Sequence, residues 1–223
     1  MSRFFTDRNQ IVLGYSPFIK TGGFFNLFAR FESFYTALQY LSFALAGKAY
    51  MGVGRNLAYR KSMFFEVKGF AGHNHIISGD DSLFVNENAN NKNTTICIAP
   101  DSFSVSPAKA NLKSWLTQKK RHMTTGKFFK ASDKWRLAWL NLSHILFYVF
   151  FILSLLLGTD YLMPLVLFAG RLFMQWLIFG IAMFKLKDTK LILFLPLLDL
   201  LYFVYYSLFG FVVLFSKKKR LLW

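Results

Sequence analysis

Acidic residues are scarce in this 223-residue chain. Eleven Asp and Glu stand against 27 Lys and Arg, a formal net charge of +16. Cysteine is nearly absent: with Cys97 alone, neither an intrachain disulfide framework nor a multi-cysteine zinc site is open to it. The aspartates sit at 7, 80, 81, 101, 133, 160, 188 and 199, and no two are spaced i, i+2. No internal repeat is visible. The first 20 residues carry charge throughout and hold no long apolar core, so they do not read as a signal peptide. Charge as basic as this would by itself suggest nucleic acid as a partner. What is present argues otherwise. The chain is 54% hydrophobic with 28 phenylalanines and a mean hydropathy of +0.34. That is enough apolar surface to exclude disorder, and it does not suit a free soluble nucleic-acid binder.

Composition divides the chain into residues 1–136 and 137–223. The first part holds 19 of the basic residues and 8 of the acids, with Gly, Asn and Ser clusters. The second holds three long apolar runs: Trp139–Leu157, Tyr161–Phe184 interrupted by Arg171, and Leu191–Phe215 interrupted by Asp199. A helix needs roughly 20 residues to cross a hydrocarbon core. Three such runs in succession leave no polar face for water, so they read as membrane spans rather than buried soluble helices. Nine Lys and Arg lie in residues 109–136, and Lys185, Lys187 and Lys190 lie between the second and third runs, whereas Gly158-Thr159-Asp160 has no positive charge. The positive-inside rule then places residues 1–136 and 185–190 in the cytoplasm. The basic residues thus adjoin the spans instead of forming a free face, which removes nucleic acid as a partner. A full third span would put Lys217-Lys218-Lys219-Arg220 on the other side; a bend and return near Pro196 is the alternative. Asp199 and Gln175 fall at similar depth, roughly 9–10 residues or about 14–15 Å from the 185–190 loop, with Arg171 one turn deeper. Charges at that depth face protein or water. They form either a polar clamp between helices or a pore or lipid-glycan path.

Within the first part, Gln10–Tyr15 reads as a strand, which with its sheet neighbours missing would expose an edge prone to aggregation. Phe24–Leu45, flanked by Gly22-Gly23 and Gly47, reads as an aromatic helix divided between core and membrane interface. Asn86–Asn93 is loop-like, Thr94–Ile98 a strand, and Leu112–His122 an amphipathic helix. Asp80-Asp81 is the only adjacent acidic pair. At the head of the helix beginning near Leu83 it is either a cap, accepting backbone N–H bonds, or a general base able to take a proton from a hydroxyl nucleophile. Gly52-Val53-Gly54-Arg55-Asn56 lacks the full spacing of a phosphate loop. His73-Asn74-His75 has no metal-ligand partner set. Asn93-Thr94-Thr95 fits the N-glycosylation pattern but falls on the expected cytoplasmic side.

The order of these pieces is more specific than any one of them. GxGRNLAYR (52–60), Gly69-Phe70, SGDDSLF (78–84), a strand ending at Pro100, W-x-x-QKKRH (115–122) and then spans resembles the C-terminal half of a membrane-bound family-2 glycosyltransferase. The likeness is to enzymes of the cellulose- and hyaluronan-synthase type, and most of all to bacterial enzymes of the Bacteroidetes kind. The resemblance implies an α/β fold: a partial GT-A catalytic domain over 1–136, on the acceptor side, followed by about three transmembrane helices over 137–223. It implies an inverting transfer from a nucleotide-sugar donor to a glycan or lipid-linked acceptor, at the cytoplasmic face of the cell inner membrane and in contact with membrane lipid. Asp81, with Asp80 beside it, matches the base. Gly54, Arg55 and Asn56 match the acceptor-site wall. Gln118, Arg121 and His122 match the Q-x-x-R-W element that meets the acceptor sugar and donor diphosphate. Histidine in place of that tryptophan stacks weakly on a sugar, which favours one or a few transfers over processive synthesis. The family also implies a divalent cation, Mg or Mn, held by a D-x-D motif that this chain lacks. The expectation is therefore an N-terminally truncated fragment without the donor and metal half. The competing expectation is a non-catalytic membrane protein, either a degenerate remnant or an accessory subunit of polysaccharide export.

Overall fold

A computed structural model describes residues 1–76, 78–109 and 111–215, with side chains described through residue 210. Lys217-Lys218-Lys219-Arg220 lies outside the described residues. The chain forms two compact units, Met1–Lys134 and Trp135–Leu214.

In the first unit, β1 (Ile11–Gly14) is the centre of a three-stranded sheet. It pairs antiparallel with β2 (Leu57–Tyr59) and parallel with β3 (Thr94–Cys97). Ile11, Val12 and Leu13 are fully buried, which explains a continuous apolar run where a half-exposed strand would alternate. The expectation of an open edge at Gln10–Tyr15 is corrected: both sides of β1 are paired within the chain, and the edges are β2 and β3.

Helix α1 (Phe24–Leu45) begins and ends at the expected residues. Its end is a Schellman arrangement, with Gly47 at φ +70°. The Gly47 N–H donates to Ala44 and the Lys48 N–H to Phe43. Phe31 and Phe34 are fully buried, Tyr35 nearly so. Much of the expected interface aromatic surface is thus core. The Tyr40 hydroxyl donates to the Gly14 carbonyl at 2.6 Å, pinning α1 to β1. Burial pushes this phenol above its usual range, opposed by the nearby Arg55 charge, so it stays a donor.

A short helix, α2 (Lys61–Glu66), follows β2. Helix α3 (Asp80–Asn88) lies against β2, with the Phe84 and Tyr59 rings 4.7 Å apart. It extends into the expected Asn86–Asn93 loop because Asn86 is buried and bonded on both sides of its amide. Asn86 Nδ2 donates to the Tyr50 carbonyl at 3.0 Å and to Asp133 Oδ2 at 2.9 Å, while its Oδ1 accepts from the Lys130 N–H at 2.8 Å. Loss of such a group strands several buried partners at once, and each stranded group costs about 1–3 kcal/mol. Asn86→Ala is expected to lower stability by about 3 kcal/mol, read from denaturant unfolding of the full chain in detergent; a change below about 1 kcal/mol would show that the network is replaceable. Helix α4 (Leu112–Thr125) completes the unit, and α5 (Ala131–Leu157) begins at its end.

The second unit consists of α5, α6 (Leu162–Lys185) and α7 (Leu195–Phe215), the last preceded by a 3₁₀ stretch over Thr189–Phe194. Three helical segments, Ala131–Leu157, Leu162–Lys185 and Thr189–Gly210, are long and apolar enough to cross a membrane. Phe150, Leu157, Leu162 and Phe173 are among many large apolar side chains left exposed, as lipid-facing helices require. Pro196 is the second residue of α7, where a missing N–H is harmless. The helix continues unbroken to Phe215, about 31 Å at the helical rise. No bend and return occurs within Leu195–Phe215.

The expected fold class is overturned. Among the described residues 67% are helical, and the strands are three short ones in a single sheet. This is a mostly helical protein, not an α/β half-domain with a helical tail. Two of the strands were readable, but at three or four residues each the described strands form one small sheet within the first unit.

Candidate functional site

The acidic pair sits where the chain enters α3. Gly79, at φ +93°, is the residue before the helix. A Cβ there would run into the Thr125 side chain of α4, and Thr125 Oγ1 donates to the Ser78 carbonyl at 3.0 Å. The end of α4 therefore holds the loop that launches α3. Asp80 and Asp81 are the first two residues of α3, in the positive field of its N-terminus. Asp80 is exposed and Asp81 half-buried. Asp81 Oδ2 accepts the Gly54 N–H, Oδ1 accepts the Ser82 N–H at 2.8 Å, and Ser82 Oγ donates to the Gly52 carbonyl at 3.0 Å. The Gly52–Gly54 loop thus grips the head of α3. At Gly54 a Cβ would stand 2.6 Å from Asp81 Oδ2, so glycine is what allows the backbone this close.

The two residues after Gly54 face different ways. Arg55 stands over the Phe18 ring, 4.7 Å from its centroid, and donates to Ser106 Oγ and, at 3.3 Å, to the Ser16 carbonyl. Asn56 is buried and donates to the Tyr15 carbonyl at 2.5 Å and the Ser102 carbonyl at 2.8 Å. Its amide holds loops together and does not face a ligand.

Helix α4 carries the basic element. Asn111 caps it, accepting the Ser114 N–H at 2.9 Å. Trp115 is buried, its ring edge-on to Phe25 and Phe28 of α1. One turn later Lys119 forms an ion pair with the buried Glu32 of α1, and Thr36 Oγ1 donates to the same carboxylate at 3.3 Å. This pair was missed in the sequence. The available signal was Glu32 itself, a lone acid inside an apolar helix, which demands a cation. Gln118 is half-buried, whereas Arg121 and His122 are exposed at the rim.

His122 shows which groups share this rim. Partial desolvation under the surrounding chain, then the charges of Lys119 and Arg121, hold its imidazole below the ordinary histidine range, while Glu32 and Asp81 oppose. His122 is thus neutral near pH 7. Below the unperturbed value of about 6.5 an unfolded chain takes the proton first, so the fold loses stability as pH falls through that window. An NMR titration of the full chain should place the His122 midpoint below 6.5, and Arg121→Gln should move it upward. A midpoint unmoved by that substitution would show that α4's cations do not set it. Asp81, with the Gly54 N–H on its carboxylate, thus lies within electrostatic reach of Lys119, Arg121 and His122 of α4, in predominantly basic surroundings. Among the described residues no three His, Cys, Asp or Glu side chains gather as a metal site.

A second polar cluster lies within α5, α6 and α7. Asp199 is fully buried. Its Oδ2 accepts from the Tyr148 hydroxyl at 2.7 Å and pairs with Arg171 at 2.8 Å; its Oδ1 accepts from Gln175 at 2.9 Å. His144 Nε2 is 3.9 Å from Oδ1, and the Arg171 guanidinium lies over the Phe147 and Tyr148 rings. Sequence depth alone brought Arg171, Gln175 and Asp199 together. Tyr148 and His144 complete the set from the third helix. With both carboxylate oxygens taken by three donors from two helices, this is a clamp.

No family model matches the chain, and no curated protein matches it. The chemistry of these two clusters is what bears on function.

Proposed function

We propose that this protein is a membrane-bound glycosyltransferase acting at the cytoplasmic face of the cell inner membrane, on a nucleotide-sugar donor and a glycan or lipid-linked acceptor. The observation that carries the reading is the placement of Asp81: a half-buried carboxylate at a helix start, tied to the Gly54 N–H and facing the basic α4. In the reaction, the acceptor hydroxyl attacks the anomeric carbon and Asp81 takes its proton. The carbon–oxygen bond to the diphosphate breaks, and its electron pair leaves with the nucleoside diphosphate. Arg121 offsets that growing negative charge. A single displacement inverts the anomeric configuration. Gly54 and Arg55 border the acceptor, with Gln118 and His122 on the opposite rim, while Asp80 adds negative charge beside the base. The family likeness implies a divalent cation as well; the described residues offer no ligand set for one.

One observation favours a different reading. Both Asp81 oxygens accept backbone N–H bonds, as those of a purely structural helix-start residue would. On that reading the chain is a non-catalytic membrane protein, such as an accessory subunit of polysaccharide export.

Calorimetric titration of the full chain in detergent with uridine diphosphate and Mn²⁺ separates the two. Saturable binding that weakens on Arg121→Gln supports the transferase. Absence of saturable binding means this chain by itself is not a catalyst.

A further inference from the structure

We infer that the first unit carries a docking surface for an anionic lipid bilayer, built from two paired loops outside the Asp81 patch. The loops are 17–23 and 105–109, joined by Phe24 at the start of α1 and by Leu112 and Lys113 at the start of α4. Phe18 forms a parallel bridge with Ser106, the Ile19 N–H donates to the Ser106 carbonyl at 2.9 Å, and the Ser106 N–H donates to the Pro17 carbonyl at 3.2 Å. In such a bridge successive side chains alternate faces. Phe18 and Ser106 both turn to Arg55. Ile19 and Val105 therefore fall on the opposite face, away from the Asp81 patch.

That face and the adjoining helix starts are exposed and apolar. Ile19 is 44% exposed, Phe24 55%, Val105 57% and Leu112 55%. Gly22 and Gly23 stand in open space, with nothing near the position a Cβ would take. Asn26 braces the turn from behind, donating to the Ile19 carbonyl at 3.1 Å and accepting the Thr21 N–H at 3.2 Å. The apolar tips are thus presented outward by a braced loop. Trp115 packing on Phe25 and Phe28 brings the starts of α1 and α4 together, which sets Phe24 and Leu112 at the same end of the unit.

Charge selects the occupant. Lys20, Lys109 and Lys113 interleave with these apolar residues, and neither loop contains an acid. Lys109 and Lys113 are exposed. Apolar side chains that enter the headgroup boundary, flanked by cations and free of acids, match an anionic lipid surface. A chain with three helices able to cross a membrane keeps such a surface within reach at all times.

The test uses the full chain reconstituted in vesicles of phosphatidylcholine, with or without 30% phosphatidylglycerol as a typical anionic fraction (about one lipid in three). Nitroxide labels are placed at Ile19→Cys, Phe24→Cys, Val105→Cys and Leu112→Cys in a Cys97→Ala background, with Phe65→Cys on α2 as the exposed reference. Depth is read from the relative accessibility to oxygen and to a water-soluble nickel complex. The expected result is oxygen-dominated accessibility at the four loop positions in anionic vesicles and water-like accessibility at 65. Lys109→Glu with Lys113→Glu should reduce the inserted population by about fivefold per lysine. Four water-like positions, as for a protein-binding or solvated face, would overturn the inference. Insertion equal in neutral and anionic vesicles would overturn its anionic specificity. Because each label is a separate variant, a single misfolded one cannot decide the outcome.

Discussion

Asp199→Leu is expected to destabilise the α5–α7 unit by about 3–5 kcal/mol, the range for leaving one member of a buried ion pair behind. Arg171 would remain within apolar helices without its carboxylate, and the Tyr148 hydroxyl and Gln175 amide would lose their acceptor. Individual hydrogen bonds between membrane helices contribute little, on average about 0.6 kcal/mol. The orphaned guanidinium therefore dominates. That sets up a discriminating comparison. Asp199→Leu combined with Arg171→Leu removes both charges and should recover more than half of the loss. Asp199→Asn keeps acceptor oxygen but not charge, and should fall between wild type and Asp199→Leu. The measurement is the unfolding midpoint of the full chain in mixed detergent, followed by circular dichroism. A double variant as unstable as Asp199→Leu would mean that the cation is not what makes the single substitution costly. A single variant as stable as wild type would mean that water already reaches the cluster, as in a path across the membrane instead of a clamp.

The clamp also shows how far a sequence can be read and where reading stops. Counting residues from a shared loop brought Gln175 and Asp199 to one level, with Arg171 one turn deeper, because helical rise is regular. The same count says nothing of which way α5 is rotated, so Tyr148 and His144 were invisible. Helix α1 was legible to the residue because glycines bracket a helical apolar period. Its burial was not, since an aromatic helix has the same composition in a core and at a lipid interface. Strands β1 and β3 were located nearly to the residue and β2 was not, and the weight of the sheet was misjudged. Nothing in QIVLGY distinguishes the centre of a three-stranded sheet from the edge of a larger one; only the partners do. In the candidate site, the positions of Asp81 and Gly54 followed from local pattern. The Glu32–Lys119 tie joins residues far apart in sequence, and no local spacing encodes it. Asn56 shows the opposite case, a residue beside Gly54 in sequence whose side chain turns inward.

On the transferase reading, Asp81→Asn should lower transfer by about 10²–10⁴-fold, the usual contribution of a positioned general base. The amide cannot accept the hydroxyl proton; its single oxygen can still accept the Gly54 N–H, at the loss of the Ser82 N–H bond, so the loop and donor binding should survive. Gly54→Ala approaches the same carboxylate from the other side. The added methyl would sit 2.6 Å from Asp81 Oδ2, so loop or carboxylate must move, and a misplaced reacting group of about 1 Å is worth on the order of 10²-fold. The two variants should therefore share a kcat defect while leaving uridine diphosphate binding unchanged. If Asp81 is only a helix-start residue, Asp81→Asn should turn over at the wild-type rate in the presence of donor and acceptor, because the substitution then touches only the fold. Stability separates the readings independently of any assay for transfer. As a structural acid at a helix start, Asp81 contributes through its charge on the helix field, about 0.3–1 kcal/mol. A loss of that size accompanied by unchanged turnover would assign Asp81 to the fold alone. A far larger loss of rate at nearly unchanged stability would assign it to the chemistry.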